Sequence, residues 1–277
     1  MDRRGRTFVG VTAGNLSAPP CSPPKGGRSM GVLVRGSVVP VTALLSLLAL
    51  AACSGLSSAE RRYNAGVELH EQGRLEEAVA AYDEAIREDT DLAVAYYNRA
   101  NAYMRLERYE QAVDDYDASI RLSPAYAPAH ANRGVAYFHL GEPEWAIEDY
   151  TRALWLDSEA VRVYNNRGIA YERLGEYERA IEDYGTVIGL DPSGARAFFS
   201  RGAAYGRLGM YEEAMADYDE VARLAPDGAE GHASRALRHT LLGDDAAAKR
   251  SIERALALGF DRALMERLLG DLSGISK

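Results

Sequence analysis

Cysteine is nearly absent from this chain. Its 277 residues hold two, Cys21 and Cys53, both ahead of Ala59, where a repeating pattern begins. The repeating part therefore has neither a disulfide framework nor a cysteine metal site. Val38–Ala52, an uncharged apolar run, has 15 residues, whereas a membrane-spanning helix needs about 20. There is no glycine-rich phosphate loop, no nucleophile with a base at a workable spacing, and no paired-histidine zinc helix. His232 and His239, seven apart on one helix face, come nearest to a metal pair, but they sit where other repeats carry aromatic packing residues. These absences predict a protein that is not an enzyme and uses no cofactor or metal. Positive charge is short as well. The formal net charge is −9, and beyond residue 52 the chain has 26 Lys/Arg against 40 Asp/Glu, a net of −14. Such a surface repels phosphate backbones, which argues against a nucleic-acid partner.

The N-terminal segment has a different composition. Residues 1–29 are rich in Gly, Pro, Ser and Arg without periodicity, and they read as a non-native or disordered leader. Met30 opens a compact signal peptide, residues 30–52, with Arg35 ahead of the apolar core. Leu50-Ala51-Ala52-Cys53 then resembles a bacterial lipobox. That resemblance implies a lipidated Cys53, a short linker to Ser58, and a cell-envelope protein held on the extracytoplasmic side of a membrane.

From Ala59 the chain repeats every 34 residues. Six units, 59–92, 93–126, 127–160, 161–194, 195–228 and 229–262, align without insertion. Position 8 is always Gly or Ala, and position 20 is always alanine, from Ala78 to Ala248. Position 24 is Tyr82, Tyr116, Tyr150, Tyr184, Tyr218 and then Ile252. Small residues let two helices approach, and a large ring fills the gap beside them. Position 15 is glycine in five of six units (Gly73, Gly141, Gly175, Gly209, Gly243), as a left-handed helix end requires. Pro124, Pro192 and Pro226 at position 32 mark helix stops, and Pro143 falls in a first turn that tolerates it. Ala263–Leu272 carries Leu264, Met265, Leu268, Leu269 and Leu272 at helical spacing, predicting a cap on the last face.

These residues resemble the tetratricopeptide repeat, a helix–turn–helix unit. The resemblance implies an all-α, right-handed α-solenoid of six helix pairs plus a C-terminal capping helix. It also implies a concave groove lined by positions 2, 5, 6, 9, 12 and 13 of each first helix. Position 13 reads Arg105, His139, Arg173 and Arg207 through the middle units, position 2 adds Arg162 and Arg196, and Tyr97, Asn98, Asn132, Asn165 and Asn166 fall at positions 5 and 6. A basic groove on an acidic body suits an acidic or C-terminal peptide segment. The chaperone-binding members of the family hold a terminal carboxylate with Lys, two Asn, Lys and Arg. Asn101 and Asn132 match the asparagines and Arg162 replaces one lysine, while Tyr97 and Asn166 break the set. Position 7 (Arg99, Arg133, Arg167, Arg201, Arg235) and position 23 (Asp115, Asp149, Asp183, Asp217) rise and vanish nearly together, predicting a structural ion-pair ladder. The reading that follows is a protein–protein interaction scaffold; the alternative is a self-associating component of an envelope assembly.

Overall fold

A computed structural model of the chain describes residues 31–34, 37–40 and 56–272. Gly31–Val34 (β1) and Ser37–Pro40 (β2) pair antiparallel, with Gly31 opposite Pro40 and Val34 opposite Ser37. The rest of the predicted signal peptide, and Cys53 itself, lie outside the described residues. No described helix is long and apolar enough to cross a membrane.

The remainder is helical and falls into two compact units that divide between Leu140 and Gly141. The first holds α1 (Ser58–Glu71), α2 (Leu75–Glu88), α3 (Ala93–Arg105), α4 (Tyr109–Leu122) and α5 (Ala127–Leu140). The second holds α6 (Pro143–Leu156), α7 (Val161–Leu174), α8 (Tyr177–Leu190), α9 (Ala195–Arg207), α10 (Tyr211–Leu224), α11 (Ala229–Leu241), α12 (Asp245–Ala257) and α13 (Arg262–Leu272). Within each unit, every repeat helix packs on the one before it and the one after it, the contact order of an all-α solenoid.

The 34-residue pattern explains this packing. Tyr82, Tyr116, Tyr150, Tyr184 and Tyr218 are each at most 2% exposed, and the position-20 alanines are buried beside them. A methyl group on Gly168 would meet the Tyr184 ring at 2.8 Å, so position 8 must stay small for the ring to seat. The turns use position 15. Gly175 (φ 77°) ends α7, its N–H bonding the Glu172 carbonyl while Glu176 N–H bonds that of Tyr171. Glu107 takes the same left-handed turn at φ 59° without being glycine. Side chains cap a few helix starts. Ser57 and Glu60 form a reciprocal capping box on α1, and Asp261 Oδ1 accepts from Leu264 N–H at 2.6 Å on α13.

The predicted cap is present but lies further inward than the sequence implies. Met265, Leu268 and Leu272 of α13 are buried in one cluster with Phe199, Tyr218 and Leu237. The helix thus packs on α11 and also on α9, both of them first helices of their pairs. Leu272 rests on Gly206, where a side chain would meet it at 3.3 Å.

Candidate functional site

The arginine ladder is part of the framework. Arg167 donates Nε and Nη2 to the two Asp183 oxygens at 2.8 Å each, and Nη1 to Thr151 Oγ1 of the preceding helix pair at 3.0 Å. Arg99 makes the same fork to Asp115 at 2.6 Å and reaches back to Asp83. Arg201 binds Asp217 at 2.8 and 2.9 Å, but Gly185 stands at its reach-back position and offers no acceptor. Arg133 reaches back to Asp117. Each fork is a bidentate, charge-assisted pair that ties helices of one repeat and, where an acceptor exists, ties that repeat to its predecessor. Arg235 of the last repeat turns instead to His232 Nδ1, at 3.0 Å, and to the Pro226 carbonyl.

The first-helix residues singled out from the sequence behave differently in the two units. In the first unit they are engaged by the protein itself. Asn101 and Asn132, matched in sequence to the carboxylate clamp, are 7% and 8% exposed. Asn132 Nδ2 donates to Tyr97 Oη at 3.1 Å and to Asn101 Oδ1 at 3.0 Å, and Tyr116 Oη donates to Asn101 Oδ1 at 2.6 Å. Tyr97 is buried, with Tyr126 edge-on to it at 5.1 Å. Asn98 donates to Tyr63 Oη at 2.8 Å, Arg105 donates to the His70 carbonyl at 3.2 Å, and His139 stacks on Tyr109 at 4.7 Å. A polar network this well satisfied orders the helices and leaves few donors to a ligand.

In the second unit Asn165 and Asn166 of α7 are half-buried, Arg173 and Arg196 are exposed, and none of the four has a hydrogen bond or ion pair among the described residues. Arg162 is exposed at the start of α7. Arg207 is taken by the protein's own capping helix, its Nε 2.7 Å from Asp271 Oδ2. Beside it lies Glu172. Burial pushes the Glu172 carboxyl up to about 7, while the Tyr184 hydroxyl and the charges of Arg207 and Arg267 oppose that shift. The structure therefore leaves a donor face of amides and guanidinium groups on α7 and α9, bounded by the contact of Arg207 with Asp271 of α13. Among the described residues no group of three or more His, Cys, Asp or Glu side chains could hold a metal ion.

Sequence reasoning missed two features. The Asp271–Arg207 pair joins residues 64 apart in chain and in different structural roles. The Tyr–Asn bonds do have a signal: Tyr63 with Asn98 and Tyr97 with Asn132 share a spacing of 35, position 5 of one repeat to position 6 of the next. Position 5 of the third repeat is Ala131, which has no hydroxyl to offer.

Comparison with known proteins supports the repeat. Family models of the tetratricopeptide repeat match residues 66–107, 93–126, 127–159 and 165–229, more than half of the chain. Among solved structures, MamA is 24% identical with a TM-score of 0.59 over 61% of this chain and 92% of that chain. YrrB, a tetratricopeptide protein with an unusual peptide-binding site, is 21% identical with a TM-score of 0.55 over 68% and 96%. PilF of Pseudomonas aeruginosa is 16% identical with a TM-score of 0.62 over 77% and 97%. At these identities the likeness speaks to the fold. No curated protein matches the chain.

Proposed function

Because the chain belongs to the tetratricopeptide-repeat family, we propose that it is a non-enzymatic scaffold that holds an acidic segment of a protein or peptide partner on the first-helix face of its fourth and fifth repeats. One observation carries this reading: the side chains of Asn165, Asn166, Arg173 and Arg196 are donors without acceptors among the described residues, on a body whose net charge beyond residue 52 is −14. A local basic face on an acidic protein attracts carboxylates by charge-assisted hydrogen bonds and steers them to that face. The fold itself supports a binding role, since stacked helix pairs offer a long preformed surface, and YrrB is one protein of this fold with a peptide-binding site. The same reading places the protein in a bacterial envelope. Lipidation at Cys53 after loss of residues 30–52 would tether the repeats close to the membrane through the short linker ending at Ser58.

A cross-linked pull-down from native membranes tests the face. Wild type is compared with Asn165→Ala/Asn166→Ala/Arg173→Ala/Arg196→Ala, after equal helicity and melting are verified. A partner recovered by wild type and lost by the variant supports the face, and its recovery by both refutes it. Mass spectrometry of the mature N-terminus tests the anchor separately: a diacylglyceryl group on Cys53 is expected, and an unmodified Cys53 sinks that part.

A further inference from the structure

Both tryptophans of the chain lie on one helix, α6, and both face solvent. Trp145 is 57% exposed and Trp155 is 72% exposed. They occupy positions 19 and 29 of the third repeat. Other repeats give these positions to residues such as Glu77 and Arg179 at the first, and Arg121 and Arg223 at the second. The framework therefore asks for no aromatic ring at either place. Glu148 and Arg152 lie between the two rings and complete a run at i, i+3, i+7 and i+10, which is one face of an α-helix. All four residues are exposed. By helix rise the run is about 15 Å long.

On and beside this face two carboxylates, Glu144 and Glu148, stand against one cation, Arg152. Glu144 and Glu148 form no ion pair among the described residues. Arg152 is one turn beyond Glu148, yet its guanidinium lies over the Trp155 ring, 4.3 Å from the centroid. An indole face attracts a guanidinium through its quadrupole, and exposed tryptophans concentrate binding energy when a partner covers them.

We propose that the Trp145–Trp155 face of α6 is a docking surface for an arginine-bearing, cationic segment of a partner protein. Its guanidinium groups stack on the indoles while Glu144 and Glu148 balance their charge. The Arg152–Trp155 contact is an in-chain instance of that recognition and competes with it. This surface shares no residue with the donor face on α7 and α9, and it selects the opposite charge.

The test uses the full chain and a fluorescently labelled octa-arginine peptide, followed by anisotropy and by tryptophan emission. Emission reports this face alone, because the chain has no third tryptophan. Saturable micromolar binding that alters the emission is expected. Trp155→Ala should weaken it about tenfold and Trp155→Phe much less. Glu144→Gln/Glu148→Gln should weaken it several-fold, and Arg152→Ala should tighten it by freeing the ring. All these positions are exposed, so circular dichroism should match wild type. Equal affinity for wild type and Trp155→Ala would mean generic attraction to an acidic body, and would overturn the proposal. So would unchanged emission at saturation, or an octa-lysine peptide that binds as tightly as octa-arginine.

Discussion

The two units put the same repeat positions to different uses. In the first, positions 5 and 6 of successive first helices bond to each other, so Tyr63, Tyr97, Asn98 and Asn132 serve as internal ties. In the second, Asn165 and Asn166 at these positions have no such partner among the described residues. At position 6 the difference turns on one hydroxyl: Tyr63 and Tyr97 at position 5 capture the asparagine of the next repeat, whereas Ala131, one repeat before Asn166, has none to offer. Identity at a groove position therefore does not make a residue a ligand contact. What decides it is the side chain one repeat earlier.

Substitutions of one asparagine from each unit test that contrast most directly. Asn101→Ala leaves the Tyr116 hydroxyl and the Asn132 amide without their shared acceptor, and should cost about 2 kcal/mol. Asn165→Ala, which breaks nothing, should change stability by less than about 0.5 kcal/mol. Urea midpoints of the two variants check this, and equal losses would erase the distinction. Next in size is a pH effect of one carboxyl in the second unit. The Glu172 carboxyl titrates higher in the folded chain, at about 7, than its ordinary 4.5. The folded state thus holds the proton more tightly, so stability is gained as pH falls through 7 and levels off near 4.5. Exposed carboxylates held low by arginine, such as Glu77 and Glu220, act in the opposite sense only below that window. Allowing for screening at a partly exposed site, Glu172's share of the change from pH 8 to 5.5 should be about 1–2 kcal/mol of gain, opposed in the same window by the His70 and His232 imidazoles that burial holds low. Glu172→Gln should remove this slope and stabilise the protein at pH 8. A slope unchanged in the variant would assign the effect elsewhere.

Two smaller gains sharpen the comparison. A side chain at Gly185 would begin 3.7 Å from Arg201 Nη1, so Gly185→Asp can restore the missing reach-back acceptor. A double-mutant cycle with Arg201→Gln should show about 1 kcal/mol of coupling, and zero coupling would mean that the arm does not form. In the first unit, Glu107→Gly should relieve a left-handed residue at φ 59° and raise stability by about 0.5–1 kcal/mol, read as a higher melting temperature.

Much of the fold was legible because it recurs. The alanines of position 20, the rings of position 24 and the glycine turns announce themselves six times or nearly so, and each has a local steric reason. The ladder was legible for the same reason, although its reach-back arm was not, since position 25 varies between Asp83, Asp117, Thr151 and Gly185. The donor face was only half legible. Position alone nominated Tyr97, Asn101, Asn132 and Arg207 together with Asn165, Asn166, Arg173 and Arg196. Burial and bonding separate the two sets. The inward turn of α13 rests on single contacts, Leu272 on Gly206 and Asp271 on Arg207, and a feature that occurs once leaves no period to find.

The interrupted reach-back arm has a consequence for how the protein opens. In a linear lattice of repeats, stability divides into the intrinsic term of each site and the coupling between neighbours. Here the coupling group runs from carboxylate at Asp83 and Asp117, to hydroxyl at Thr151, to nothing at Gly185, and back to carboxylate at Asp219, which pairs with Arg238 at 2.6 Å. Coupling through this arm therefore lapses between the fourth and fifth repeats, and the α13 clasp holds the fifth and sixth repeats together beyond that gap. That clasp supplies what a linear lattice lacks at its end: a boundary condition that suppresses fraying of the last sites.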